Sequence, residues 1–229
     1  MRDVFAKPDG ITLVGGGAPS RAALTRALAV APHLVAADGG ADAALDLGFT
    51  PDLAVGDFDS ISEAARAVLG PDRLRHDPDQ ESTDFDKVLA AVDAPLILGV
   101  GFSGARLDHT LAAMSTLAQN PHRRIVLDTG EDLCLLCPPR LALDLAPGSR
   151  VSLYPLTELR CGSEGLQWPT DHLTFAPLGR IGTSNAATGP VVLTPSAPAM
   201  LLLLPVEAMG VLRDGLAAAA SWPKPAHAR

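Results

Sequence analysis

The apolar positions of this chain change their period near its middle. Up to about Asp128, short unbroken apolar runs alternate with stretches in which apolar residues recur every three to four positions. Ile11–Val14, Leu34–Ala37, Leu53–Val55, Pro95–Val100 and Ile125–Leu127 read as buried strands, each bounded by Gly, Pro or Asp. Ala22–Ala29, Ala41–Leu47, Glu63–Leu69, Asp84–Val92 and Leu107–Ala118 read as the helices between them. In the fourth, Phe85, Val88, Leu89 and Val92 fall at i, i+3, i+4 and i+7, a stripe suited to packing on a sheet. Such alternation predicts a parallel sheet with helices on its faces, and ligands then bind beyond the carboxyl ends of the strands.

After about Thr129 a period of two takes over. Leu141, Leu143 and Leu145 alternate with Ala142 and Asp144, Val151 and Leu153 do the same, and Pro or Gly punctuates nearly every run to Val206. This half predicts short antiparallel strands packed as a small sandwich or barrel. The stretch from about residue 207 starts as an Ala-rich helix and ends in a Trp-Pro-Lys-Pro segment that reads as a loosely attached tail.

Composition narrows the function classes. The 229 residues are 47% apolar, but alanine supplies 37 of them and aromatics only 4%, so the core is built mainly from Leu, Val and Ala. A formal net charge of −8 sets the summed field against nucleic acid and anionic membranes, and neither is an expected partner. The first ten residues carry charges and no apolar stretch of signal-peptide length, and Met200–Val206 falls far short of the ~18 residues that a membrane span needs. A soluble cytoplasmic protein is expected. Three cysteines fit a reducing compartment. Cys134 and Cys137 lie on a predicted strand, where residues three apart face opposite ways, so they read as buried structural thiols.

The acids are the informative part of the charge. There are 20 Asp to 6 Glu, and 15 of these acids lie between Asp38 and Asp108. Aspartate suits turns, caps and hard-metal sites rather than helix interiors. Asp38 follows the run Leu34–Ala37 and precedes Gly39 and Gly40, which puts it at a strand's carboxyl end. Asp57 and Asp59 follow Val55 by two and four residues, and in extended backbone both would point one way while Phe58 points into the core. Two carboxylates that close repel unless a cation joins them, and an all-oxygen pair suits Mg²⁺, commonly shared with substrate phosphates. The competing reading makes Ser60 and Glu63 a capping box and the aspartates ordinary helix-start residues.

Asp84 and Asp108 open the next two helices. Ser82 or Thr83 can cap the first, and Lys87 lies one turn on from Asp84, giving either a metal-plus-phosphate pair or a surface ion pair. Asp108 follows the glycine-rich stretch Gly99–Gly104, where Arg106 offers phosphate-binding chemistry. The triplet Gly15–Gly17 lacks both the dinucleotide fingerprint and the Gly-Lys-Ser/Thr of a P-loop, so it supports only a close backbone approach to a ligand.

Taken together, Ala37–Ala41, Pro51–Ser60, Asp79–Phe85 and Gly104–His109 resemble the thiamine pyrophosphokinase family, and in the second half Gly165–Trp168 and Gly182–Asn185 are similar to its thiamine-binding segment. Order and spacing hold from about Ile11 to Val206. Ala105 stands where that family commonly has glycine, Gln167 where lysine is frequent, and the segment beyond Glu207 has no counterpart. The resemblance implies an α/β fold: a Rossmann-like, three-layer catalytic domain over residues 1–128, then a small all-β sandwich over residues 129–229. It implies pyrophosphate transfer from ATP to the hydroxyethyl oxygen of thiamine, in a homodimer with sites at the subunit interface. On that reading Asp38, Asp57, Asp59, Asp84 and Asp108 form the catalytic set, with Mg²⁺ on Asp57, Asp59 and Asp84. Gly39, Ser60, Gln80, Thr83, Lys87 and Arg106 would hold ATP and its phosphates. Trp168, Thr183, Ser184 and Asn185 would hold thiamine, whose cationic ring favours an aromatic face. Three rivals share part of the pattern: a metal-dependent phosphohydrolase using the Asp57–Asp59 motif, a pterin pyrophosphokinase, and a non-catalytic thiamine or nucleotide sensor.

Overall fold

The structure is a computed structural model and describes residues 4–104 and 106–226; Ala105, the departure noted in the glycine-rich loop, lies outside them. The fold is mixed α/β, in two compact units: Met1–Thr116 with Ile125–Gly130, and Leu117–Arg124 with Glu131–Arg229.

The first unit follows the predicted alternation. Its elements are β1 (Phe5–Ala6), β2 (Ile11–Val14), α1 (Arg21–Leu28), β3 (His33–Ala37), α2 (Gly40–Asp46), β4 (Leu53–Gly56), α3 (Glu63–Leu69), β5 (Leu74–His76), α4 (Asp84–Ala91), β6 (Val92–Asp93), β7 (Ile97–Val100), α5 (Leu107–Gln119) and β8 (Ile125–Asp128). Strands lie in the order β8-β7-β2-β3-β4-β5, and every neighbouring pair is parallel. β2, β4, β7 and β8 are buried along their whole length, which is why they read as unbroken apolar runs and not as alternating ones. The short β1, β5 and β6 carry too few apolar residues to give a signal. From β2 the chain builds outward to β5 and then returns to β7 on the other side of β2. A crevice opens at such a reversal, beyond the carboxyl ends of the strands.

Helix starts follow local chemistry. Ser20 caps α1 and Thr83 caps α4, the latter in a reciprocal box with Asp86. α3 departs from expectation: its cap is Ser62, whose hydroxyl accepts from Ala65 N at 3.1 Å, so Ser60 and Glu63 form no capping box. The stripe on α4 is buried as its spacing predicts, with Phe85, Val88, Leu89 and Val92 each at most 4% exposed. Each such side chain contributes roughly 1.5–3 kcal/mol through burial.

One ion pair inside this unit should matter to stability. Arg26 forks onto Asp128 through Nε at 2.8 Å and Nη2 at 2.9 Å, and the Asp128 side chain is completely buried. Removing the guanidinium leaves that carboxylate without its counter-charge. Arg26→Ala is therefore expected to cost about 3–5 kcal/mol in denaturant unfolding. A loss below ~1 kcal/mol, the value of an exposed pair, would show that Asp128 is satisfied without Arg26.

The second unit contains β9 (Asp132–Leu136), β10 (Leu141–Leu143), β11 (Arg150–Pro155), β12 (Leu159–Leu166), β13 (Thr174–Phe175), β14 (Gly182–Pro195), β15 (Met200–Pro205) and α6 (Met209–Ala218). All its pairings are antiparallel, in the order β9-β15-β11-β14-β12-β13 with β10 also on β14. β14 serves two sets of partners: Gly182–Ala186 pair with β11, and Val191–Pro195 pair with β10 and β12. The three cysteines are free and buried, and burial pushes the Cys134 thiol up to about 12 and the Cys161 thiol up to about 11. Such thiols are unreactive. The expected loose tail is instead attached. α6 buries Met209, Leu212 and Leu216, Arg124 Nη2 donates to Ala219 O at 2.8 Å, and Trp222 Nε1 donates to Cys137 O at 2.9 Å.

Candidate active site

The carboxyl ends of β2, β3, β4 and β7 carry the residues that matter. Beyond them lies a cavity of about 660 Å³, lined by both glycine loops, by Asp57, Ser60, Gln80, Thr83, Asp84 and Lys87, and by Arg106 and His109. The glycine loops pack directly on each other. Gly17 N donates to Gly101 O at 2.8 Å, and a Cβ on Gly17 would stand 2.6 Å from that same oxygen, so the wall is bare backbone by necessity.

Asp38 ends β3 in a left-handed turn, with φ +42, and is 1% exposed. It packs against Gly56 of β4, where a Cβ would meet the Asp38 Cβ at 2.8 Å; glycine leaves room for the carboxylate. Its Oδ2 accepts from Ser60 N at 3.2 Å, while Oδ1 is buried with no hydrogen-bond partner among the described residues. Burial, contact with the Asp59 carboxylate and the charge of Asp84 push its pKa up to about 6. A buried acceptor left unsatisfied is costly, and it marks a place where a cation would be welcome.

Asp57 and Asp59 converge by a route the sequence reading did not give. Phe58 adopts φ +65, so the motif is a turn and not extended strand, and Phe58 is half-buried between His76 and Arg66 instead of entering the core. The turn still brings the acids together. Asp38, Asp57 and Asp59 each offer an oxygen within 4.8 Å of the others. Ser60 Oγ donates to Asp59 Oδ1 at 2.7 Å. The third member of the cluster is Asp38, where the sequence reading put Asp84.

Asp84 faces Lys87 instead. The buried Lys87 ammonium lies 2.9 Å from Asp57 Oδ2 and 3.5 Å from Asp84 Oδ1. Its burial alone would lower its pKa, but the hydrogen bond to Asp57 and the charges of Asp84 and Asp57 outweigh that and raise it. Lys87 and then Gln80, whose Nε2 donates to the same Asp57 oxygen at 2.8 Å, hold Asp57 down to about 2. Asp108 stands apart from the cluster, as an exposed partner of Arg106 at 2.5 Å. That contact keeps its carboxyl below the ordinary range. Of the five predicted acids, three gather at one point.

Gly39 and Ser60 sit beside the cluster and line the cavity, as does Thr83, which also caps α4. Phe102 and Ser103 were not anticipated as cavity residues. Phe102 stacks on Phe85 with centroids 4.3 Å apart, and only its place in the glycine-rich loop could have drawn attention to it.

In the second unit Trp168 is 56% exposed, so it is not a core tryptophan. Its main chain is clamped by Asn185: Trp168 N donates to Oδ1 at 3.2 Å and Nδ2 donates to Trp168 O at 2.8 Å. The buried Asn185 amide is thus occupied with the backbone. Ser184 takes φ +63, its N–H donating to Ser152 Oγ at 3.0 Å, and both Thr183 and Ser184 are exposed on β14.

Residues 24–127 match the family described as thiamin pyrophosphokinase, catalytic domain. Thiamine pyrophosphokinase 1 of Arabidopsis thaliana is 25% identical over 182 residues, covering 71% of this chain and 68% of that protein. Thiamine pyrophosphokinase 3 of Oryza sativa subsp. japonica is 26% identical over 156 residues, 60% of this chain, and the match spans 58% of the rice protein's length. Among solved structures, thiamine pyrophosphokinase from Bacillus subtilis superposes with a TM-score of 0.70 at 21% identity, covering 86% of this chain and 98% of that one. Thiamin pyrophosphokinase from Candida albicans superposes with 0.72 at 17% identity, covering 88% and 93%. At those identities the structural likeness is one of fold. Among the described residues, no helix is long and apolar enough to cross a membrane.

Proposed function

We propose that this chain, a member of the thiamine pyrophosphokinase family, transfers pyrophosphate from ATP to the hydroxyethyl oxygen of thiamine, releasing AMP and thiamine diphosphate. The observation that carries the reading is the meeting of Asp38, Asp57 and Asp59 beside a glycine-walled cavity, with one Asp38 oxygen buried and unpartnered. Three carboxylate oxygens in that space suit a hard divalent cation and no soft metal. Asp38, Asp57 and Asp59 would hold Mg²⁺, which when bound neutralises polyphosphate charge.

The chain's own groups account for the rest. Gly15, Gly16, Gly17, Gly101 and Gly104 line the cavity without side chains and so leave room for a polyphosphate beside the carboxylates. Arg106 and Ser60 line the same cavity, and Arg106 can turn from Asp108 to an equatorial phosphate oxygen. Phosphoryl-type transfer asks mainly for alignment and charge stabilisation, so no nucleophilic side chain is required. We read the first unit as a Rossmann-like layer domain and the second as the sandwich that supplies Trp168. The working assembly is a homodimer on this reading, and light scattering at 23.7 kDa under assay conditions would overturn that part.

The test is product identity. With Mg²⁺, ATP and thiamine, the expected products are AMP and thiamine diphosphate in equal amounts; phosphate or ADP released without dependence on thiamine would overturn the reading. Trp168→Ala should raise KM for thiamine about 2- to 30-fold, the equivalent of the ~0.5–2 kcal/mol of a cation–π contact, with KM for ATP unchanged. An equal rise in both would remove Trp168 from the thiamine site.

A further inference from the structure

We infer that Gln80 and Lys87 act as positioning residues for Asp57, fixing which of its two oxygens is offered to a cation, and that neither is a phosphate ligand. The inference rests on the divalent-cation reading above and goes beyond it, since sequence position suggests phosphate contacts for both. The geometry is one-sided. Gln80 Nε2 at 2.8 Å and Lys87 Nζ at 2.9 Å both donate to Asp57 Oδ2. Among the described residues, Asp57 Oδ1 receives only the Asp59 N–H, at 3.4 Å. Two short donors on one oxygen and one long donor on the other set the rotation of the carboxylate and leave Oδ1 the freer oxygen.

Lys87 is poorly disposed to serve a phosphate. It is 4% exposed, and its three donors already face two carboxylates, Asp57 at 2.9 Å and Asp84 at 3.5 Å. A buried ammonium that left them for a phosphate would abandon two charges behind it. Lys87 also lines a smaller cavity of about 260 Å³ with Val55, Arg75, His76, Asp77, Ala90 and Ala91. Gln80 is exposed and neutral, so its amide acts on Asp57 through the hydrogen bond and adds no charge. Donors behind a metal-binding carboxylate commonly contribute 10- to 100-fold in metal affinity.

Two measurements on the full chain test this. In the first, MnCl₂ is titrated without nucleotide and free Mn²⁺ is followed by electron paramagnetic resonance, for wild type and Gln80→Ala. The substitution removes no charge and no buried group, and is expected to weaken Mn²⁺ binding roughly tenfold, with KM for ATP unchanged at saturating metal. Unchanged Mn²⁺ affinity together with a raised KM for ATP would make Gln80 a phosphate ligand and overturn the inference. Wild type that takes up no Mn²⁺ would instead overturn the divalent-cation reading itself. The second measurement uses the fact that the chain has three lysines, Lys7, Lys87 and Lys224, so ¹³Cε-lysine NMR resolves each. The Lys87 signal should move strongly in Asp57→Asn and stay in place when inorganic pyrophosphate is added without metal. A pyrophosphate-induced shift as large as that of Asp57→Asn would return Lys87 to the phosphates.

Discussion

Asp38→Asn should stabilise the metal-free protein while abolishing its turnover. The carboxylate is buried beside Asp59 with one oxygen unpartnered, and its pKa is pushed up to about 6 from 3.8. For an acid shifted this way, the unfolded chain loses its proton first as pH rises. Stability therefore falls between about pH 4 and pH 6, and above that range the folded state bears a penalty on the order of 3 kcal/mol. Asparagine carries no charge, its oxygen can keep the Ser60 N–H, and its amide can donate to Asp59 where a proton otherwise sits. In EDTA at pH 7.5 the expected gain is about 1–3 kcal/mol, a rise in Tm of roughly 2–12 °C for a chain of this size. At pH 3 the gain should vanish, because both states of the wild type are then largely protonated. Turnover should fall ~10³-fold, about 4 kcal/mol of transition-state stabilisation. Calorimetry at the two pH values checks the first half. A variant less stable than wild type at pH 7.5 would show that the carboxylate is not strained in the absence of metal.

Asp59→Asn separates catalysis from folding more sharply. Asp59 is exposed, and its hydrogen bonds come from the neighbouring Ser60 hydroxyl and, through its own N–H, reach Asp57. No buried group depends on its charge for packing. Its removal should leave the unfolding midpoint within ~0.5 kcal/mol of wild type or raise it slightly, since Asp38 loses a repulsive neighbour. Turnover should still drop ~10³-fold or more, because the cation loses a charged ligand. Near-wild-type rates would reduce the Asp57–Asp59 motif to a turn. A matched loss of stability and activity would assign Asp59 a structural role.

Much of the fold was legible because the first unit's signals are local. Strands buried on both faces must be apolar throughout, and helices on a sheet must repeat every three to four residues, so β2, β3, β4, β7 and β8 and the five helices could be marked within two residues of their observed bounds. β5 could not, since Leu74–His76 mixes a leucine with two basic residues at the sheet's edge. The helix-cap logic worked at Ser20 and missed Ser62, which caps α3 where the competing reading put Ser60. The tail misled because, beyond the buried face of α6, it is tied by single hydrogen bonds from Arg124 and Trp222, which no spacing rule announces.

The acids show the same division. Sequence alone determined that aspartates stand at the ends of β3 and β4 and at the starts of α4 and α5, because strand ends and helix starts are set by nearby residues. It determined a net charge of −8, whose field works against binding a polyanion. Only the tertiary structure decided which carboxylates meet. The positive φ at Asp38 and Phe58, the gap left by Gly56, and the buried Lys87 between Asp57 and Asp84 are consequences of chain segments 20 to 30 residues apart being packed together. Electrostatic energy depends on distances of a few ångströms across such contacts, and sequence separation does not encode them.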